Sequence, residues 1–392
     1  MKSRSGVKFR QGVISCLGSL VSIAGGLVVG ALLLLLFNPP YALYGLEKIL
    51  ATGFDSWEKL AKVFYQSAPL LMTGLSVGFA FKTGLFNIGA SGQYTLGAFL
   101  AVVVAVQFRA PWWAALLCAM VGGALLGSIP GLCKALFNVN EVITSIMFNW
   151  IALFIVNMSL YNMPNMLASA WSAVQKDRTV SLLGAKFMAY NPNATIPKMG
   201  LDVLMGSQFM NISVFIATFI ALLIWIIMNR TTFGYELKAC GYNRHASSYA
   251  GIDAKRNIVL SMTIAGALSG IGGGLYFLSG PAQYTLVKAL QGMGFNGIPV
   301  ALLAGSNPVG TIFSALFISY IQVGGDALQP EYAKEIIDII IAAIIYLSAF
   351  ALLMRSWIGK LAIRKQKGNA NEDPDALNDG QALREQSEEA VE

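Results

Sequence analysis

Apolar runs of about 20 residues recur along most of this chain, separated by short polar stretches. Each run can cross a hydrocarbon core of roughly 30 Å as an α-helix. The pattern predicts spans at 13–37, 63–82, 86–106, 111–134, 142–163, 209–229, 257–279, 292–306, 308–325 and 335–354. The first run is longer than the apolar core of a signal peptide, roughly 7–15 residues, and reads as a retained span. The expected fold is an all-α polytopic membrane protein with about ten transmembrane helices. The alternation of an outer-membrane barrel strand is absent. Pro281, Pro299 and Pro308 interrupt the pair of segments between 281 and 325, so eight spans with re-entrant pieces is a second count.

The most informative polar stretch is Phe86-Asn87-Ile88-Gly89-Ala90-Ser91-Gly92-Gln93, set between two apolar runs. Away from water an unsatisfied backbone group costs several kcal/mol, so broken backbone at membrane depth must be covered by protein or border a wet cavity. Two readings stand. One is a discontinuous helix lining a path for a polar solute. The other is a short loop dipping between two spans.

A second polar pattern lies in the fifth predicted span. Glu141, Ser145 and Asn149 recur at i, i+4 and i+8, and Asn157 continues the stripe. Polar side chains inside a bilayer face the bundle interior or a cavity. The stripe is either a hydrogen-bonded seam between helices or one wall of a pathway for a neutral polar solute. Two glycine ladders carry a plainer message. Gly123, Gly127 and Gly131, and separately Gly266, Gly270 and Gly274, leave one stripe of each helix bare, and such stripes pack helices closely.

Composition confirms the class. The 392 residues are 56% hydrophobic and 12% charged, against roughly 25% charged in ordinary soluble domains. Mean hydropathy is +0.61. Cys16, Cys118, Cys133 and Cys240 form no C-x-x-C pair and read as packing residues, and His245 is the single histidine, so no multi-histidine metal site is expected.

Charge orients the spans. Lys and Arg mark the cytoplasmic side. Ten spans put the basic N-terminus 1–12, Lys82, Lys134, the loop 230–256 and the basic start of the tail on that side. The transmembrane domain is then 13–355, with 38–62, 164–208 and 326–334 outside. The tail 356–392 begins basic and turns acidic, with eight acidic residues from Glu372 to Glu392 opposed only by Arg384, and is expected to be disordered. The inner basic excess suits anionic membrane lipid. Nothing calls for nucleic acid.

Loop 230–256 contains Glu236 to Gly241 and then Ala246 to Ile252. It reads as a short amphipathic helix with a Gly241 turn before it and Gly251 after it, placed to lie on lipid or to dock a partner. No G-x-x-x-x-G-K-[ST], H-E-x-x-H or G-x-S-x-G is present, and no span holds paired carboxylates. The chain is therefore not read as an enzyme. Span centres also lack the ionisable residues that ion-coupled carriers commonly use.

Together, Phe86-Asn87-Ile88-Gly89-x-x-Gly92-Gln93 and Gly241-Tyr242-Asn243-x-x-Ala246-x-x-Tyr249-Ala250-Gly251-Ile252 resemble the permeases of ATP-binding-cassette (ABC) importers of the branched-chain amino acid/ribose type. The stretch Glu141-Val142-Ile143-x-x-Ile146-Met147-x-Asn149-x-Ile151-Ala152 and the insert 38–62 are similar to the nucleoside branch, which works with basic-membrane-protein-type lipoproteins. The resemblance spans roughly 20–355. It implies two inverted halves with discontinuous helices in a bacterial cytoplasmic membrane, both termini inside. It implies a second homologous permease, a separate cytoplasmic ATPase that carries the Mg-ATP, and an extracytoplasmic solute-binding lipoprotein, with no cofactor on this chain. Phe86, Asn87, Gly89, Gln93, Glu141, Ser145, Asn149 and Asn296 are the implied pathway residues, Phe295-Asn296 being placed comparably to Phe86-Asn87. Glu236, Gly241, Ala246, Tyr249 and Gly251 are the implied ATPase-coupling residues. Ser247 stands where the family commonly has alanine. The same machinery moving a pentose or an amino acid, or an ATP-independent secondary carrier, are the alternatives.

Overall fold

The computed structural model describes residues 24–172 and 177–349. Regular structure there is helical apart from two isolated bridges, Leu167–Thr179 and Arg178–Thr285. In chain order the helices are α1 (Ala24–Phe37), α2 (Ala42–Asp55), α3 (Trp57–Lys82), α4 (Ala90–Gln107), α5 (Trp112–Phe137) and α6 (Glu141–Asn162). The short α7 (Ser169–Ser172), α8 (Ala185–Tyr190) and α9 (Leu201–Met205) lie between α6 and α10 (Ser213–Arg230). Then come α11 (Thr232–Tyr242), α12 (Arg244–Tyr249), α13 (Ala254–Leu278), α14 (Gly292–Leu303), α15 (Pro308–Asp326) and α16 (Lys334–Ala349).

Six of these, α4, α5, α6, α10, α13 and α15, are long and apolar enough to cross a membrane. The basic N-terminus 1–12, the first part of the first predicted span (13–23) and the tail 356–392 lie outside the described residues. The chain divides into two compact units. In the smaller one, residues 24–30 and 342–349 are described, and the bare face of Gly26 lies on the backbone of Ile344. Residues 31–341 form the larger unit and carry everything that follows.

The core of that unit is α13. It packs against α3, α4 and α5, and 72% of its most apolar window is buried, against 28% for α10. The two glycine ladders meet each other here, as their bare stripes require. A Cβ placed on Gly127 would fall 2.8 Å from the Gly266 Cα, and one on Gly270 would fall 2.9 Å from the Gly123 Cα. With no side chains between them, the α5 and α13 backbones gain van der Waals contact along three turns. That contact drives helix association where lipid removes the hydrophobic incentive.

Several boundaries differ from the sequence expectation. The insert 38–62, expected outside the membrane between the first two spans, is largely helical. It folds as α2 and the first turn of α3, because Ser56 caps α3 by accepting from the Lys59 N–H at 3.3 Å and Glu58 sits in the positive first turn. The span expected from 86 begins only at Ala90, and the run expected at 292–306 is helical for 12 residues. Gly241 does not form a turn before a single short helix. It lies inside α11, and the chain breaks two residues later at Asn243, whose side chain caps α12 by accepting from the Ala246 N–H at 3.0 Å.

The described residues of segment 164–208, namely 164–172 and 177–208, form an ordered cover. Its backbone pairs with the segment 279–291, through Thr179 N–H to the Tyr284 carbonyl at 2.9 Å and Leu286 N–H to the Asp177 carbonyl at 2.7 Å. Asn191 ties the cover to the α4 end by donating to the Ala105 carbonyl at 2.9 Å.

Candidate functional site

The connection between α3 and α4 does more than join two helices. After Lys82 the chain turns at Gly84, whose φ of +72° suits glycine. It then runs back along α3. Asn87 thereby lies beside Ser76, about 9 Å up the helix from its end at 1.5 Å per residue. Helix α4 starts from that depth. Non-helical backbone within the bundle must be enclosed by protein, and Leu85, Asn87 and Gly89 are all buried.

Asn87 and Gln93 close on each other. The Asn87 amide donates to Gln93 Oε1 at 2.8 Å, and the Gln93 amide donates back to Asn87 Oδ1 at 3.0 Å. The second Asn87 proton goes to Ser76 Oγ at 2.9 Å, and Ser76 in turn donates to the Ala265 carbonyl of α13 at 2.6 Å. This chain of bonds links α3, the connection, α4 and α13.

Asn149 completes the knot from α6. Gly89 occupies the N-cap position of α4 and has no side chain to offer. The Asn149 side chain supplies the missing acceptor, taking the Gly92 N–H at 2.8 Å, and donates its own amide to the Ile88 carbonyl at 3.0 Å. The Gly92 N–H and the Ile88 carbonyl are thus satisfied by a residue 57 and 61 positions away respectively. Gly92 must be glycine here: a Cβ would fall 2.8 Å from the Asn149 Cα.

The structure thus brings Asn87, Gly89, Gln93, Ser145 and Asn149 together. Asn87, Gln93, Ser145 and Asn149 are at most 1% exposed, so bulk solvent does not reach them in this conformation. Ser145 Oγ has no hydrogen-bond partner among the described residues, although it is buried against Gly89. Phe86 turns the other way, stacks on Phe81 with ring centres 5.1 Å apart, and packs with Ile298. Glu141 stands apart from the knot. Its carboxylate meets Lys134 Nζ at 3.1 Å across the turn at Asn138. Asn296 is half-buried in the first turns of α14. It does not match the place of Asn87, which lies in non-helical backbone.

The α11–α12 loop presents a second constellation. Leu237 is buried, and Glu236 is half-buried and accepts from the Asn257 amide of α13 at 3.4 Å. Helix α12 is the opposite. Only Ser247 is buried, while Ala246 is exposed and Tyr249 is 95% exposed. Gly251 follows at φ +82°, the left-handed helix end expected of it. Among the described residues no group of three or more His, Cys, Asp or Glu side chains is placed to hold a metal.

Sequence reasoning singled out the members of the knot but not Ser76 or Gly84. Ser76 is one of several serines in apolar helices, and nothing in the local pattern marks it. The glycine of Lys82-Thr83-Gly84 directly after an apolar run was an available signal for a helix end.

Residues 59–349 match the family described as branched-chain amino acid transport system / permease component. The chain is 36% identical over 357 residues to the guanosine ABC transporter permease protein NupP of Bacillus subtilis, covering 89% of this chain and 96% of that one. It is 33% identical over 351 residues to the nucleoside ABC transporter permease protein NupB of Lactococcus lactis, covering 87% and 92%. It is also 26% identical over 268 residues to a second guanosine permease of B. subtilis, NupQ, covering 65% and 78%.

Proposed function

The chain belongs to the branched-chain amino acid transport system permease family, and from that premise we propose that it is the membrane subunit of an ABC importer that carries nucleosides across the bacterial cytoplasmic membrane. The observation that carries the cargo is its similarity, over nearly its whole length, to a guanosine and a nucleoside permease. B. subtilis has two such permeases, NupP and NupQ, and this chain is similar to both, which supports pairing with a second, related permease. In the same reading a separate ATPase supplies the energy and an external lipoprotein delivers the solute.

The proposed topology has about ten spans in two inverted halves, with both termini cytoplasmic. The order of elements supports it: α3, a non-helical connection, then α4, α5 and α6 is followed by α13, a non-helical connection, then α14, α15 and α16. Asn87, Gly89, Gln93, Ser145 and Asn149 form the pathway when the helices carrying them part, whereas Phe86, Glu141 and Asn296 lie outside the knot. The amide knot is its closed state. Asn, Gln and Ser groups hydrogen-bond sugar hydroxyls and base edges without a fixed charge to trap a neutral solute. Ser145 Oγ, without a partner among the described residues, supports this role because it leaves a hydrogen-bonding group beside the knot available to a solute. Glu236, Gly241, Ala246, Tyr249 and Gly251 couple to the ATPase, which the bare α12 surface supports.

The test is uptake into proteoliposomes containing this permease with its partner permease, ATPase and binding protein, against labelled nucleosides, pentoses and amino acids. ATP-dependent accumulation of nucleosides is expected. Accumulation of pentoses or amino acids alone moves the cargo, and accumulation without ATP replaces the importer with a secondary carrier.

A further inference from the structure

We infer that Gly84 and Gly241 form the rigid contact through which movement of the α11–α12 loop reaches the amide knot, making both glycines positioning residues for transport. The inference rests on the importer reading above, in which that loop meets the ATPase.

The contact is backbone on backbone. A Cβ on Gly241 would fall 2.8 Å from the Gly84 nitrogen and 3.0 Å from the Lys82 carbonyl oxygen. A Cβ on Gly84 would fall 2.8 Å from both the Cα and the carbonyl oxygen of Gly241. Side chains at an interface absorb small displacements by changing rotamer, whereas touching backbones pass them on, because packed interiors hardly compress. Gly84 is constrained twice, by this approach and by its φ of +72°.

Both ends of the contact lead somewhere. Beyond Gly241 the chain emerges at Tyr242, 88% exposed, and continues into the bare helix α12. Beyond Gly84 the chain is held to α3 by the Leu85 N–H on the Ala80 carbonyl at 3.0 Å and reaches Asn87 three residues on. Asn87 in turn holds Gln93 and Ser76. Helix α11 is also held to α13 by the Asn257 amide, which donates to the Glu236 carboxylate at 3.4 Å. A displacement applied at the exposed loop is delivered at the start of the non-helical connection, where the Thr83 hydroxyl bonds Ser261 of α13 and the Ala80 carbonyl, and the knot is the next set of side-chain bonds along the chain.

The experiment measures solute imported per ATP hydrolysed in proteoliposomes of the full complex. Gly241→Ala and Gly84→Ala are each expected to co-purify with the ATPase and to lower that ratio by about tenfold, within the range for mutations along a coupling route. Gly200→Ala is the control. Gly200 shares a positive φ of +79° but has nothing within 4 Å of its Cβ position, and its ratio is expected to stay within about twofold of wild type. A wild-type ratio in both test variants, an equal fall in Gly200→Ala, or loss of ATPase co-purification overturns the contact as a transmission point. Should the variants fail to fold, hydrogen exchange on the unchanged complex decides: exchange across 83–89 must differ between nucleotide-free and ATP-trapped states, and identical exchange rejects the inference. Uptake by the unchanged complex without ATP removes the importer reading itself, whereas ATP-driven uptake with unaltered ratios removes only the contact.

Discussion

Asn149 caps a helix to which it does not belong. Its side-chain oxygen takes the Gly92 N–H at the start of α4, at 2.8 Å, while its amide holds the Ile88 carbonyl. Replacing it with leucine keeps the branched shape and orphans the buried Gly92 N–H and the part-buried Ile88 carbonyl, a buried unsatisfied group costing about 1–3 kcal/mol. Asn149→Leu is therefore expected to lower the thermal unfolding temperature of the purified permease and to reduce transport more than expression. Asn149→Asp keeps the acceptor but loses the donor and is expected to fall between. Wild-type melting and uptake in Asn149→Leu would remove the residue from both the cap and the pathway.

The ladder contact between Gly127 and Gly266 makes a sharper stability prediction. Gly127→Leu forces the α5 and α13 backbones apart, and overpacking of this kind costs about 1–3 kcal/mol or more. Gly292 has nothing within 4 Å of its Cβ position, so Gly292→Ala serves as the comparison. Detergent-solubilised Gly127→Leu is expected to aggregate on size-exclusion chromatography while Gly292→Ala elutes as wild type. Equal behaviour of the two variants counts against tight ladder packing.

Helix α12 supplies a coupling prediction. Ala246 is exposed on a helix of which only Ser247 is buried, so a large side chain there leaves the fold alone. Ala246→Trp is expected to insert and melt normally, and to lose either ATPase co-purification or solute-stimulated hydrolysis by about tenfold or more, as truncation or obstruction at the centre of a small interface does. Wild-type stimulation in this variant would move the docking surface elsewhere.

Topology is checked by labelling. Lys186 lies exposed on α8 of the cover. On a background lacking the four native cysteines, Lys186→Cys is expected to react with a membrane-impermeant maleimide in intact cells. Reaction only from inverted vesicles would place the cover in the cytoplasm and reverse the proposed orientation.

The sequence by itself determined that the chain is helical and membrane-embedded, because span length and composition are local properties that the hydrocarbon thickness fixes. It also determined that Gly123, Gly127, Gly266 and Gly270 face neighbouring helices, since their spacing alone leaves a bare stripe. The motif around Asn87 and the stripe through Asn149 were legible as polar groups needing partners. Which partners they take was not. Whether Asn149 faces a seam or a cavity depends on where the non-helical connection runs, and that depends on how α5 and α6 pack around it across the 57-position separation of Gly92 and Asn149. Only the tertiary structure decided that Asn87 pairs with Gln93, that Ser76 joins them, and that Gly241 lies inside a helix against Gly84. Gln93 and Ser76 lie only 6 and 11 positions from Asn87 but across a helix break whose path no hydrophobic and polar pattern specifies, and Gly241 meets Gly84 from a distant segment.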